Sequence, residues 1–491
     1  MTRTLLALLF CLAYLSSCTR EQPKLSLQQL DIVRLQQSWL KVEVLSDSMI
    51  VPWDLETDSQ GFLWVAEQEG KVSRINLSTA EKKVMLVISD VWQQRTSGLL
   101  GMAVHPDFAN NPFVYLNYTV KKDSLISSRL FRYKLDKDSL TDPILLLEIE
   151  GGTSHNGSRL AFGPDGKIYW ATGDTHDFTY AQNSEKLNGK ILRMNPDGSI
   201  PSDNPDPGSL VWAKGFRNMQ GLTFSDSGLL YTSEHGDAIE DEVNLIIAGG
   251  NYGWPIIEGM HDLDPEKVFA GENQTIEPIR SWTPVIAPAG IAFYGEKTIP
   301  EWTNTLLLTT LKGKSLRILQ LSQDGKTILD EEILFENHYG RLRDVTVGPK
   351  GEIYLSTSNK DWNPQPGFPL PGDDKILKIS LTDQVVPSPL EAIKPAEPLT
   401  LNGEQLYLNY CASCHKANGT GLSEVFPTLA GSTLVKGNVN PLIQLVLKGK
   451  NQMPAFGFLS NREAAEILTY IRQNWGNQAS EITSAQVEEN R

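Results

Sequence analysis

The sequence predicts an all-β six-bladed propeller followed by a small all-α domain, and three observations carry that prediction. A turn-like cluster running into a short strand recurs six times between residues 41 and 384, a proline-rich stretch occupies 385–399, and beyond it stands Cys-x-x-Cys-His at Cys411, Cys414 and His415.

The first eighteen residues carry Arg3, an apolar run from Leu5 to Leu15 and small residues before Cys18. This is the pattern of an export signal: eleven apolar residues fall short of the roughly 20 that a spanning helix needs. The "LSSC" ending resembles a bacterial lipobox, so Cys18 is expected to carry a lipid anchor at an envelope membrane; the alternative is an ordinary signal with Cys18 incidental. Residues 19–40 are assigned to an N-terminal segment without repeat character.

The repeats are "DSQGFLWV" at 58, "NNPFVYLNY" at 110, "GPDGKIYWA" at 163, "SDSGLLYTS" at 225, "EWTNTLLLTT" at 301 and "GPKGEIYLS" at 348. No long helical pattern interrupts them. Residues 41–384 allow about 57 residues per repeat, enough for four short strands and their loops. A four-stranded sheet cannot bury both faces alone, so blades stack radially around an axial cavity, and function is expected at one mouth of it.

Prolines 387, 389, 395 and 398 mark "VVPSPLEAIKPAEPL" as a linker, with an extended reach of up to roughly 45 Å. The following domain, 400–476, is read from its attachment motif. Cys411 and Cys414 form thioether bonds to a porphyrin and His415 ligates its iron, so the motif specifies covalent haem c; zinc binding lacks a second ligand pair nearby. Met453, in "NQMPAF", is the expected sixth ligand, and His/Met ligation makes the haem an electron acceptor. Around it, a helix is expected from an Asn440 cap through Pro441 to Gly449. A second starts at a Ser460/Glu463 capping box and places Ala464, Ile467, Leu468, Ile471 and Trp475 on one face, packed on "GEQLYLNYC". Residues 477–491 are expected to be a frayed polar tail.

The four cysteines are Cys11 and Cys18 in the signal and Cys411 and Cys414 in the haem motif, which leaves none for a disulfide. Export and c-type haem agree with that usage. A net charge of −15 argues against nucleic acid as a partner.

"HNGSRLAFGPDGKIYWATGD" (155–174), "LNGKILRMNPDGSIPSDNP" (187–205), "GFRNMQGLTF" (215–224) and "GGNYGWP" (249–255) resemble the glucose/sorbosone dehydrogenase family, whose soluble members use pyrroloquinoline quinone on a six-bladed propeller. The resemblance implies a site for this trianionic quinone at Arg217, Asn218, Lys312, Arg341 and Arg343. Arg341 and Arg343, two apart in "YGRLRDV", would share one strand face and repel unless an anion lay between them; a salt bridge to an acid such as Asp344 is the alternative. It further implies His155 as general base, chosen over His105 or His235 only through the motif, with Arg217 stabilising the reduced quinone oxygen. "EHGDAIEDE" (234–242) matches the family's calcium loop, where the carbonyls of Gly236 and Asp237 would hold Ca2+; as an EF-hand the spacing is wrong. Trp282 would offer a flat face to sugar or cofactor.

Departures from the glucose-oxidising pattern are Ser154, Thr96 and Ile279, which favour the wider aldose or polyol branch. The implied activity is oxidation of an aldose or polyol, with electrons passed singly to the fused haem and on to another cytochrome or a terminal oxidase. Two other readings stand beside it: a ligand-binding scaffold and a calcium-dependent lactonase, each with a separate electron carrier.

Overall fold

The computed structural model describes residues 26–395, 401–422, 426–451 and 453–491; the export signal and Cys18 lie outside the described residues. Six sheets, antiparallel apart from one short outer pair, follow one another along the chain, and each recurring cluster becomes the second strand of a blade, as in Phe62–Glu67, Ile168–Thr172 and Ile353–Thr357. β-branched and aromatic residues dominate these strands, and Trp64, Trp170 and Tyr354 are fully buried between blades.

The ring is closed by an early strand. Trp39–Ser46 pairs antiparallel with Ile376–Leu381, and Gln28–Arg34 pairs outside it. The propeller therefore begins before residue 41, a correction to the expected boundary. Closure requires the two chain ends to share one sheet, and no local pattern reveals that. A second correction is the helix Asp264–Asn273, inserted between the last two strands of the fourth blade.

Innermost strands neighbour one another around the axis, close enough that side chains are excluded in places. A Cβ on Gly101 would lie 1.8 Å from the Ser158 carbonyl, and one on Gly290 would lie 1.9 Å from Asp344 Oδ1. All six innermost strands carry a register shift near their start: at Pro52/Asp54, Leu99/Gly101, Gly157/Leu160, Met219/Gly221, Pro288/Ile291 and Leu342/Asp344. Bulges of this kind re-aim side chains at the rim of a closed sheet, and this repetition turns one end of the propeller into a site.

The proline-rich stretch is partly fixed. Leu390–Glu391 runs parallel to Val33–Arg34, and Ile393 bridges to Ile333, so the segment lies along the outer edge up to that point; 396–399 fall outside the described residues. The C-terminal domain packs Gly403–Tyr410, capped by Asn402, against Asn461–Gln473, whose Ser460/Glu463 capping box forms as expected. The intervening helix is Val439–Lys448, capped by Asn438 rather than Asn440, whose amide the Asn438 side chain receives. Residues 477–491 are not frayed: Ser484–Glu488 is helical, Val487 and Asn477 are fully buried, and Ile482 joins the core. A few apolar anchors among polar residues suffice to hold a short segment down, and composition concealed them.

Candidate active site and haem-attachment site

Antiparallel order puts three kinds of segment at one rim of the propeller: the starts of innermost strands, the ends of second strands and the starts of third strands. His155 precedes Gly157–Phe162, Arg217 and Asn218 precede Met219–Phe224, and Arg341 precedes Leu342–Val347. Loops leaving the second strands bring Asp174, His235 to Asp237, Lys312 and Asp361 to the same rim. Residues far apart in sequence therefore converge because the meander repeats.

His155 occupies the left-handed region (φ 54°), which costs a non-glycine residue about 1–3 kcal/mol and is retained where surrounding contacts enforce it. Its Nδ1 donates to Asp174 Oδ1 at 2.9 Å. The same carboxylate accepts from Trp254 Nε1 at 2.9 Å and from the His176 amide at 2.9 Å. An acceptor so engaged fixes the imidazole tautomer and leaves Nε2 with its lone pair. Burial, with Arg217, His235 and Arg95 close by, holds His155 far below the usual histidine range, so it is neutral at working pH. Burial pushes Asp174 upward against the pull of Arg217. His176 stacks on His155 with centroids 3.6 Å apart, pairs with Ser154 Oγ, and is pushed down to about 3 by burial and by His155.

Arg217 donates through Nη2 to Asp237 Oδ1 at 2.6 Å, and its guanidinium lies over Trp254 at 5.4 Å. The Asp174 amide donates to the Arg217 carbonyl at 2.8 Å, which couples the base loop to the arginine loop. Asn218 is a strut: its Oδ1 accepts from the Gly157 amide and from Gln220 Nε2. Arg341 and Arg343 do come together, but the salt-bridge alternative is the one realised: both pair with a protein carboxylate, Asp361, whose Oδ2 lies 2.6 and 3.1 Å from their Nη2 atoms. Asp344, the acid offered as the alternative, pairs instead with Arg159 at 3.1 Å. Burial lowers Arg343 to about 10. Three buried polar atoms at this rim, Arg95 Nε, Arg217 Nε and His235 Nε2, have no hydrogen-bond partner among the described residues.

One expectation is corrected. Trp282 does not face the mouth: its ring is buried with Ile286, Leu306 and Leu319 between blades, and its Nε1 donates to Glu331, because the final strand of the fourth blade points it inward. The loop at 234–242 shows no cage of acidic side chains. Asp237 is ion-paired to Arg217, Asp241 accepts from the amides of Gly236, Ile286 and Ala287, and no cluster of three metal-binding side chains occurs among the described residues.

In the C-terminal domain Cys411 ends the helix Gly403–Tyr410, and Cys414 and His415 follow on the next turn, Ala412–His415. Neither cysteine is in a disulfide, and His415 Nδ1 donates to the Pro427 carbonyl at 2.9 Å, which leaves Nε2 for iron. Met453 and Cys411 border the same helical core. These residues fit covalent haem.

Asp174, Trp254, His176, Asp361 and Arg95 were not singled out from the sequence. Asp174 and Trp254 lie inside the quoted motifs, so the signal was present; Asp361 is defined only by the arginines that reach it.

A toroid with a buried histidine–carboxylate pair under a cationic rim, joined in one chain to a haem-attachment domain, defines a redox propeller with its own c-type cytochrome. Residues 49–363 match the glucose / sorbosone dehydrogenase family, and residues 398–471 match the family of cbb3-type cytochrome c oxidase subunit III. Quinoprotein glucose dehydrogenase B of Acinetobacter calcoaceticus is 28% identical, over 62% of this chain and 82% of its own. Aldose sugar dehydrogenase YliI of Escherichia coli is 28% identical, over 65% of this chain and 90% of its own. The PQQ-bound aldose sugar dehydrogenase of Streptomyces coelicolor superposes with a TM-score of 0.61 at 33% identity, covering 70% of this chain and 98% of that one. This chain belongs to the glucose / sorbosone dehydrogenase family.

Proposed function

We propose that the chain is an exported, lipid-anchored dehydrogenase that oxidises an aldose or polyol with pyrroloquinoline quinone and delivers the electrons to its own haem c. The observation that carries the reading is the gathering of Arg95 and Arg217 on neutral His155, of Arg217, Arg341 and Arg343 on neighbouring His235, and of Lys312 on the same rim, in a protein of net charge −15. Two carboxylates, Asp237 and Asp361, are ion-paired within that set. The remaining positive charge and the unpartnered Arg217 Nε and His235 Nε2 suit a polyanionic ring with several acceptor oxygens.

Bound quinone would supply the hydride acceptor, and bound haem a one-electron acceptor. In this reading His155 Nε2 takes the hydroxyl proton of the sugar, with Asp174 holding the ring and offsetting the charge that forms. Arg217 would offset the negative charge that develops on a bound quinone, and its bond to Asp237 keeps the guanidinium in position. Oxidation of one sugar hydroxyl releases two electrons and two protons, so two successive transfers pass through the haem to an external cytochrome or oxidase.

Calcium enters by resemblance alone: the Gly236 and Asp237 carbonyls would hold it, as no side-chain cage stands there. The lipid anchor at Cys18 and the envelope location rest on the N-terminal pattern. Ser154, which pairs with His176, stands where glucose-oxidising members have Asp, and this favours the aldose or polyol branch.

The test is to load haem-containing protein with pyrroloquinoline quinone and calcium and add a panel of aldoses and polyols. Reduction of the haem with formation of the oxidised sugar supports the reading; haem that stays oxidised across the panel, with the quinone bound, overturns it.

A further inference from the structure

The cytochrome domain does not hang free of the propeller; three contacts seat it on the rim that holds His155. Lys312 Nζ donates to the carbonyl of Asn409, two residues before Cys411. Arg95 lies over the rings of Trp362 and Phe426, 5.2 and 5.4 Å from their centroids, and those two rings are themselves 6.4 Å apart. Ala238 is buried in the apolar cluster formed by the cytochrome helices. Lys312, Ala238 and Trp362 stand on loops leaving the second strands of three blades, and Arg95 precedes the innermost strand of the second blade, so all belong to the rim of the candidate active site.

We infer that this rim is a docking surface for the chain's own cytochrome, in which an arginine held between a propeller tryptophan and a cytochrome phenylalanine, with the Lys312–Asn409 bond, turns the Cys411/Cys414 edge toward the quinone site. The inference rests on the dehydrogenase reading for its purpose but not for its geometry. Guanidinium–aromatic contacts of this kind contribute more as they are desolvated, and this one joins two domains rather than bracing either. The tether agrees with it. Ile393 is fixed by Ile333 and Asn402 caps the first cytochrome helix, so eight residues (394–401) intervene. Such a span reaches about 30 Å at most, which keeps the cytochrome near the rim at high effective concentration. A surface that specific needs no external partner to be occupied.

The experiment uses the full-length, haem-loaded, quinone-free protein, with Arg95→Glu and Trp362→Ala as separate variants. Solution X-ray scattering and lysine cross-linking report docking, and the His–Met charge-transfer band reports an intact cytochrome. Both variants are expected to keep the band, to show a larger radius of gyration and to lose cross-links between the cytochrome and the rim loops. After quinone loading, Trp362→Ala should lower the first-order rate of haem reduction by substrate by at least about tenfold, whereas Arg95→Glu, which also removes a charge from the quinone rim, is read by scattering and cross-linking alone. Variants that keep the band yet scatter and cross-link as the parent does would overturn the docking surface. Expanded variants alongside a parent whose haem no sugar reduces would leave the docking in place and overturn the dehydrogenase reading instead.

Discussion

The imidazole of His176 lies flat on that of His155, with ring centroids 3.6 Å apart and planes 27° from parallel. Two rings so close cannot both carry charge, and burial already forbids it for either. His176 is held neutral by burial and then by this contact, while His155 is held neutral by burial and by Arg217, His235 and Arg95. Sugar oxidation, which needs His155 without its proton, should persist well below pH 6.5 when kcat/KM is followed downward in pH.

The same pair makes a stability prediction with a definite sign. The native pKa of His176, about 3, lies below the unfolded value near 6.5. Below pH 6.5 the unfolded chain takes up a proton that the native state refuses, so stability is full above 6.5 and falls as pH drops toward 3. One such group contributes about 1.4 kcal/mol per pH unit. Urea unfolding of the parent and of His176→Asn between pH 6.5 and 4 should show the variant's dependence flatter by about that slope. Identical slopes would mean that His176 is not held neutral by the fold.

Asp174 accepts from His155, Trp254 and the His176 amide, so it positions the base rather than reacting. Asp174→Asn should lower kcat by about 10²-fold or more while quinone affinity, read by titration, changes little. Loss of quinone binding in equal measure would assign Asp174 to the cofactor instead.

Asp361 is the counter-ion for two buried guanidiniums, Arg341 and Arg343. Its replacement by Ala leaves both unneutralised and should destabilise the propeller by about 3–5 kcal/mol in denaturant unfolding. Pyrroloquinoline quinone, as an anion at that rim, should restore part of the loss, with the midpoint rising as its concentration rises.

Met453→Ala should leave the haem covalently attached through Cys411 and Cys414 but abolish the His–Met charge-transfer band and lower the reduction potential. An unchanged band would require another sixth ligand.

Much of the architecture was legible locally. The six turn-to-strand clusters became six second strands, the Ser460 capping box became a helix start, and Cys411, Cys414 and His415 fell on consecutive helical turns. Where reading failed, the deciding partner was remote. Trp282 is a strong platform candidate by chemistry, yet the strand Arg280–Trp282 pairs with Asp241–Val243 and turns its ring into the core. Arg341 and Arg343 called for an anion, and the anion came from the loop after another strand, eighteen residues beyond Arg343.

What the sequence determined by itself was everything carried by short-range periodicity and covalent spacing: the strand repeats, the helix caps, the haem motif and the kinship of the propeller. Tertiary structure alone decided which end of the toroid is the active one, which carboxylate meets which arginine, how Gln28–Arg34 and Trp39–Ser46 close the ring, and where the cytochrome sits. The reason is physical. Backbone propensity acts over a few residues, whereas ion pairing, ring closure and docking depend on groups brought together only after the blades have stacked.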